Sequence, residues 1–137
     1  MEDWFQVENF KDYIPFSTWN SFDLRVEKNT LKILDMLDAF PFQPKATFFI
    51  LGWIAKKLPK LVKQINSRGH EVASHGFNHH LPGCLSPSDL AADLASSKET
   101  LETIITDTVY GFRAPSFAIN DTVLTAVRKT GYSYDSS

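Results

Sequence analysis

The feature that most constrains this chain is an alternation of short apolar runs with longer segments of helical periodicity. Residues 45–51 (KATFFIL) form a continuous apolar run between Pro44 and Gly52, which is typical of a strand buried on both faces. Three further strands are predicted at residues 71–74, 108–113 and 132–135. Helical patterns lie between the strands, and this order predicts a parallel sheet with right-handed crossovers, an α/β fold.

Start and stop signals place the helices between these strands. They are predicted from Val26 to before Pro41, from Gly52 to about Arg68, from Pro87 behind the capping box of Ser86 and Asp89, and over residues 121–129. Pro59 is expected near the start of the main part of the second helix, where proline is tolerated. The length of 137 residues fits one domain, residues 1–137.

Composition excludes several classes of partner. The chain has 14 basic and 16 acidic residues and a net charge of -2, which leaves no basic surface for nucleic acid or an anionic membrane. The longest largely apolar run, residues 46–55, is far shorter than the ~18 residues of a membrane span. The first residues are acidic where a signal peptide is basic, so a cytoplasmic location is the default expectation.

Polar side chains lie at the carboxyl ends of three of the four predicted strands. His75, Arg113 and Asp135 lie at the ends of the second, third and fourth strands, and parallel sheets place their chemistry at that edge. His75 and His79 are four residues apart, so both imidazoles can reach one metal ion. The alternative is a pair of ordinary surface or capping histidines. His70 is expected to be solvated at a helix end, and His80 to be a neighbour of the site.

Two histidines leave a catalytic zinc site short of its usual three protein ligands, so a carboxylate is expected as well. Glu2 and Asp3 are the best placed, if a first strand precedes them. The aromatic-rich segment that follows, residues 4–24, is interpreted as a loop that covers the core. The alternative is a loop that contacts substrate.

Five segments in this order resemble the polysaccharide deacetylase family (carbohydrate esterase family 4, the NodB homology domain). The resemblance is strongest to the branch associated with exopolysaccharide export and protein-sorting systems. The matching segments are EDWFQV at residues 2–7, ATFFILG at 46–52, GHEVASHG at 69–76, GFRAPSF at 111–117 and YDSS at 134–137.

The resemblance implies a distorted (β/α) barrel, present here as an incomplete form of the family's seven-stranded barrel. It implies metal-dependent hydrolysis of N-acetyl groups on an acetylated amino-sugar polysaccharide, with a divalent metal, zinc by preference. The residues that it assigns are His75, His79 and Glu2 as metal ligands with Asp3 in reserve, Arg113 as the group that orients the catalytic base, and Pro115, Phe117 and Asp135 as substrate-contacting residues.

The sequence departs from the family pattern at both ends. The aspartate that resembles the general base would precede Met1, and the leucine-histidine motif that supplies the general acid would follow Ser137. We therefore expect a domain truncated at both ends and weakly active or inactive, with possible self-association through an open sheet edge. Two alternatives are a cyclic-amide hydrolase on the same scaffold and a non-catalytic domain that binds glycan or a partner protein.

Overall fold

The computed structural model describes residues 1–137 and contains five α-helices and four β-strands. In chain order they are α1 (Val26–Ala39), β1 (Thr47–Ile50), α2 (Gly52–Lys57), α3 (Pro59–Ser67), β2 (Glu71–Ser74), α4 (Pro87–Ile105), β3 (Gly111–Phe112), α5 (Asp121–Lys129) and β4 (Tyr134–Asp135). The strands form one sheet in the order β1-β2-β3-β4, and every neighbouring pair is parallel. The predicted α/β class and the parallel sheet are confirmed.

The third and fourth strands begin later than predicted, because the N–H group of a residue before each strand bonds to a helix side chain or a helix end. The N–H of Val109 donates to Oε1 of Glu102 at 2.9 Å, so this residue is tied to α4. The N–H of Tyr132 donates to the carbonyl of Val127 at the end of α5. The predictions of strand at residues 108–110, 113 and 132–133 were wrong.

The second predicted helix is two helices. Leu58 lies between α2 and α3 with φ -127° and ψ 54°, outside the helical region, and Pro59 opens α3. Proline lacks the N–H needed inside a helix and disfavours helical geometry in the residue before it. Pro59 therefore begins a helix of its own.

Helix α4 is the central packing element, in contact with α2, α3, α5 and β2. It begins as the capping motif predicts, with Oγ of Ser86 accepting a hydrogen bond from the N–H of Asp89 at 3.1 Å. Its apolar face includes the buried Leu94 and Leu101. The same helix lies beneath the residues that follow β2, which is where the candidate site is found.

The aromatic N-terminal segment packs on the core as three short 3-10 helices, Trp4–Gln6, Glu8–Phe10 and Phe16–Ser21. Phe5 and Trp19 are buried, and both rings lie edge-on to the ring of Trp53 in α2. The expectation of a covering segment is confirmed, in the form of helical turns.

Both edges of the sheet are formed by short strands. Met1 pairs with the end of β1, since its amino group donates to the carbonyl of Phe49 and its carbonyl accepts from the N–H of Leu51. β4 has one neighbour in the sheet, β3. Self-association through an open sheet edge stays a prediction. None of the helices combines the length and the apolar composition of a membrane span.

Candidate metal centre

Glu2, His75 and His79 converge at the carboxyl edge of the sheet, as the sequence predicts. One ligand atom from each lies within 4.8 Å of the others. Oε2 of Glu2 is 2.5 Å from Nε2 of His79 and 3.4 Å from Nε2 of His75. The three side chains thus present two nitrogens and one carboxylate oxygen to a common point.

His75 is oriented by the main chain of the neighbouring strand. It directly follows β2, and its Nδ1 lies 2.6 Å from the carbonyl oxygen of Arg113. A carbonyl only accepts, so Nδ1 carries the proton and Nε2 is left with the lone pair that faces Glu2. The ring is thereby held in the tautomer that binds a metal through Nε2.

His79 reaches the same point because the chain turns sharply between the two histidines. Gly76 has φ 75° and His79 itself has φ 58°, both in the left-handed region that residues other than glycine seldom adopt. The two imidazole rings lie 5.3 Å apart between centroids, at 66° to one another. Nδ1 of His79 is buried without a hydrogen-bond partner.

Glu2 is held by its neighbours in the chain. Met1 on one side is paired with β1. Asp3 on the other side is 3% exposed, and its carboxylate accepts the N–H groups of Trp4 at 2.9 Å, Arg25 at 2.6 Å and Val26 at 3.0 Å. As a metal ligand Asp3 was the wrong alternative, because its oxygens already cap the start of α1.

Burial and mutual contact set the protonation of the centre. Burial raises the pKa of Glu2, but contacts with His75 and His79 outweigh it and hold this pKa well below its usual range. Burial lowers the pKa of His75, and Glu2 opposes that shift only in part. The carboxylate is therefore charged and His75 is neutral near pH 7, the forms in which both side chains bind metals.

The residues present fit a divalent metal ion. Oε2 of Glu2 is buried and has no hydrogen-bond partner, although both imidazole nitrogens lie close to it. A buried polar atom left in this state is costly, and a cation between the three ligand atoms removes the cost. Two imidazoles and one carboxylate are a donor set typical of catalytic zinc sites.

The centre lies in a groove of about 690 Å³. Its lining residues come from the N-terminus, β1 and the loops after β2 and β3, and they are Met1, Glu2, Val7, Glu8, Asn9, Thr47, Phe48, Phe49, His75, His79, Arg113, Ala114, Ser116 and Phe117. A cavity of about 190 Å³ adjoins it, shares Val7, Glu8 and His79 with it, and is walled by the aromatic N-terminal segment. The sequence predicted a covering segment, with a loop near the site only as the alternative.

Arg113 lies in the groove with its guanidinium carbon 4.2 Å from the centroid of the Phe49 ring and 5.5 Å from that of Phe117. Its Nε and one terminal nitrogen donate to the carbonyl and hydroxyl of Ser136 at 3.1 and 2.6 Å. The predicted role of orienting a catalytic base stays a prediction. What the arrangement provides is a fixed positive charge at the groove wall.

The other predicted substrate residues lie at different distances from the groove. Phe117 lines it and is 63% exposed. Pro115 is buried at the start of a short 3-10 turn, next to groove-lining Ala114. Asp135 is outside the lining, and its carboxylate accepts the N–H and hydroxyl of Ser137 at 3.1 and 2.8 Å. Substrate contact by these three residues stays a prediction.

The remaining histidines divide between core and surface. His70 is 2% exposed and accepts a hydrogen bond on Nδ1 from the N–H of Ala46 at 3.3 Å, so the expectation of a solvated side chain was wrong. The reason is that it packs edge-on against the Phe48 ring, which no local pattern reveals. His80 is exposed and adjoins the site, as expected.

Comparison with known sequences gives a consistent set of similar proteins. The family model described as polysaccharide deacetylase matches residues 14–134. The chain is 33% identical over 103 residues to a peptidoglycan-N-acetylglucosamine deacetylase of Bacillus cereus, which covers 75% of this chain and 47% of the relative. It is 29% identical over 103 residues to a chitooligosaccharide deacetylase of Sinorhizobium fredii, which covers 74% of this chain and 47% of that one. The chain thus spans about half the length of these relatives.

Solved structures share the fold. A wild-type CE4 family pseudoenzyme from Bacillus anthracis matches with a TM-score of 0.74 at 24% identity, over 82% of this chain and 40% of that chain. A family 4 carbohydrate esterase from Streptomyces lividans, in complex with acetate, matches with a TM-score of 0.70 at 20% identity, over 85% of this chain and 57% of that chain. The expected α/β fold, with part of the barrel, is confirmed.

Proposed function

Because this chain belongs to the polysaccharide deacetylase family, we propose that it is the metal-binding part of a hydrolase that removes N-acetyl groups from an amino-sugar polysaccharide. The metal we propose is zinc, held by Glu2, His75 and His79. The observation that carries the proposal is the convergence of these three ligand atoms within 4.8 Å at the carboxyl edge of a parallel sheet.

A divalent ion at this centre would polarise a carbonyl oxygen and increase the acidity of water, the two requirements of amide hydrolysis near neutral pH. The protein side of this chemistry rests on the three proposed ligands and on Arg113. Glu2 supplies a negative charge. His75 supplies Nε2, and the carbonyl of Arg113 fixes the tautomer of its imidazole ring. The guanidinium of Arg113, held between two aromatic rings, provides a second positive charge for an anionic group in the groove.

The substrate class we propose is an acetylated amino-sugar chain. Relatives carry names that specify peptidoglycan and chitooligosaccharide as their substrates. The groove volume of about 690 Å³ is large enough to admit more than the acetyl group, and exposed Phe117 offers an apolar face for a sugar ring. The adjoining aromatic cavity extends this surface along the N-terminal segment.

Calorimetric titration of the metal-free chain with Zn²⁺ tests the proposed centre. We expect His75→Ala, His79→Ala and Glu2→Ala to weaken binding strongly. His80→Ala is the matched control, because His80 is exposed, adjoins His79 and contributes no ligand atom to the centre. A wild-type chain that binds zinc no more tightly than His75→Ala contradicts the proposal.

Acetate release from acetylated chitooligosaccharide, with and without a chelator, tests the reaction. The expected result is slow hydrolysis that the chelator abolishes and added zinc restores. Equal rates on a cyclic ureide would favour the cyclic-amide hydrolase. Saturable glycan binding without hydrolysis, unaffected by the chelator, would favour a domain that only binds glycan, for which the aromatic cavity is the candidate surface.

A further inference from the structure

The loop that joins the two histidine ligands is held from below by one helix. The carboxylate of Asp93, in α4, accepts the N–H of Phe77 on Oδ2 at 2.9 Å and the N–H of Asn78 on Oδ1 at 3.4 Å. Both oxygens of one side chain thus bind consecutive backbone groups of the loop. Asp93 contributes no ligand atom to the candidate centre.

One helical turn further along α4, Ser97 forms a second attachment. Its Oγ donates to the carbonyl of Gly76 at 3.0 Å and lies 2.8 Å from Oγ of Ser74, and the N–H of Gly76 donates to Oγ of Ser74 at 3.2 Å. Since the Ser97 proton goes to Gly76, the Ser74 hydroxyl must donate to Ser97. Both serines are fully buried, so this closed ring of three hydrogen bonds has no competition from water.

Together with α2, these contacts occupy the backbone polar groups between the ligands. The N–H of Gly52 also donates to the carbonyl of Gly76 at 2.9 Å, and the N–H of Trp53 donates to the carbonyl of Phe77 at 3.0 Å. Every N–H and C=O of Gly76 and Phe77 therefore has a partner. The observed arrangement of the loop satisfies all of them, and it carries the positive φ angles of Gly76 and His79 that bring His79 back towards His75.

The position of Asp93 destabilises its charged form. Burial raises its pKa, and the two backbone N–H groups offset the shift only in part. A carboxylate without such hydrogen bonds would have a lower free energy in solvent, where the exposed Glu99 of the same helix lies.

We propose that Asp93 and Ser97 are positioning residues of the metal centre: by fixing the backbone of residues 76–78 they set the separation and orientation of the two imidazoles. This inference rests on the proposed function, because it assigns a purpose to the geometry of that centre. It adds two residues on a helix that carries none of the ligands.

Zinc affinity and loop order in two variants test the inference. Asp93→Asn keeps one acceptor but points an amide NH₂ at one of the loop N–H groups, and Ser97→Ala opens the ring of hydrogen bonds. We expect each to weaken zinc binding by about 10–100-fold, as loss of an outer-shell partner does in other metal sites. Glu99→Gln and Ser96→Ala are the matched controls, since both residues are exposed on α4 and line the same cavity as Asp93; their affinity should equal that of the wild type.

Two precautions distinguish a positioning role of Asp93 and Ser97 from a role in fold stability alone. The affinities are measured well below the unfolding temperature, and NMR spectra are recorded on the metal-free chain. The inference requires altered imidazole resonances of His75 and His79, together with faster amide exchange at Phe77 and Asn78, in Asp93→Asn and not in Glu99→Gln. Lower thermal stability with unchanged zinc affinity and unchanged imidazole resonances would overturn it. A wild-type chain that binds no zinc contradicts the proposed function alone, and the metal-free resonances then still decide whether these two residues position the imidazoles.

Discussion

The backbone carbonyl of Arg113 accepts a hydrogen bond from Nδ1 of His75 at 2.6 Å, while the Arg113 side chain extends to Ser136 and two aromatic rings. One residue thus serves the site in two separable ways. Its main chain, at the end of β3, fixes the imidazole of His75 at the end of β2, and its side chain places a positive charge at the groove wall. Adjacent parallel strands bring these two atoms together, so the contact depends on the register of the sheet.

This separation predicts that Arg113→Met uncouples metal binding from hydrolysis. The methionine keeps the backbone carbonyl and much of the packing against Phe49, so zinc affinity should stay at the wild-type value. The positive charge is lost, so the proposed deacetylation should slow by about 10²-fold or more, the usual cost of removing one electrostatic group. Calorimetry and acetate release measure the two properties. Loss of zinc binding in this variant would mean that the side chain, rather than the carbonyl, holds His75.

The contact between α2 and the histidine loop leads to a second prediction, for Gly52→Ala. A Cβ at position 52 would lie 2.4 Å from a ring carbon of Phe77, and this ring belongs to the segment between the two ligands. The ring must move, so we expect a loss of about 1–3 kcal/mol of unfolding free energy, typical of overpacking, together with weaker zinc binding. Gly83→Ala is the control, because the nearest atom to its Cβ would be 3.6 Å away. Equal denaturation midpoints for the two variants would contradict the packing argument.

The convergence of the candidate ligands could be predicted from the sequence because the signals are local. His75 and His79 follow a recognisable strand, and their spacing by four residues brings both rings to one side of a turn. The choice of Glu2 over Asp3 needed the family resemblance, since the two acidic residues are adjacent and precede the same aromatic segment. In each case a short segment carried the information.

Other contributors to the site lie where no local pattern points. Asp93 and Ser97 appear in the sequence as ordinary polar residues of an amphipathic helix, and their task depends on how α4 lies under the loop. Asp3 caps a helix that starts more than twenty residues later, and the capped N–H groups are not distinguished by sequence. His70 is buried by contact with β1. Such roles arise from tertiary packing, which propensity and spacing do not encode.

Tyr134, at the amino end of β4, leads to a prediction about how stability depends on pH. Its ring passes over Gly111, and its hydroxyl donates to Oε1 of Glu71 at 2.7 Å. Burial and this hydrogen bond raise the pKa of Tyr134 to about 12. Since the folded-state pKa exceeds the unfolded value of about 10, this tyrosine stabilises the fold below pH 10, and the contribution is lost as the pH rises towards 12.

Alkaline titration followed by tyrosinate absorbance tests this assignment. Tyr134→Phe should remove one transition near pH 12, and Glu71→Gln should move that transition towards pH 10 because the carboxylate acceptor and its charge are gone. Glu99→Gln, on the exposed side of α4, should leave the titration unchanged. A Tyr134 transition near pH 10 in the wild-type chain would show that the hydrogen bond does not persist in solution.

The neighbouring acidic residues Glu2 and Asp3 should separate binding from stability. Asp3→Ala removes three hydrogen bonds of a buried carboxylate, two of them at the start of α1, and should lower the unfolding free energy of the metal-free chain by about 2 kcal/mol. Glu2→Ala should lower that free energy by less than Asp3→Ala does, because Oε2 of Glu2 has no hydrogen bond to lose and only its electrostatic contacts with His75 and His79 disappear. The order of effects should reverse for zinc: strong weakening in Glu2→Ala and a much smaller change in Asp3→Ala at a temperature where both are folded. Asp12→Ala, exposed in the same N-terminal segment, is the control for both measurements. Complete loss of zinc binding in Asp3→Ala, with unchanged stability, would contradict the assignment and indicate Asp3 as a ligand. A residue that only caps α1 can affect zinc binding only through the stability of the fold.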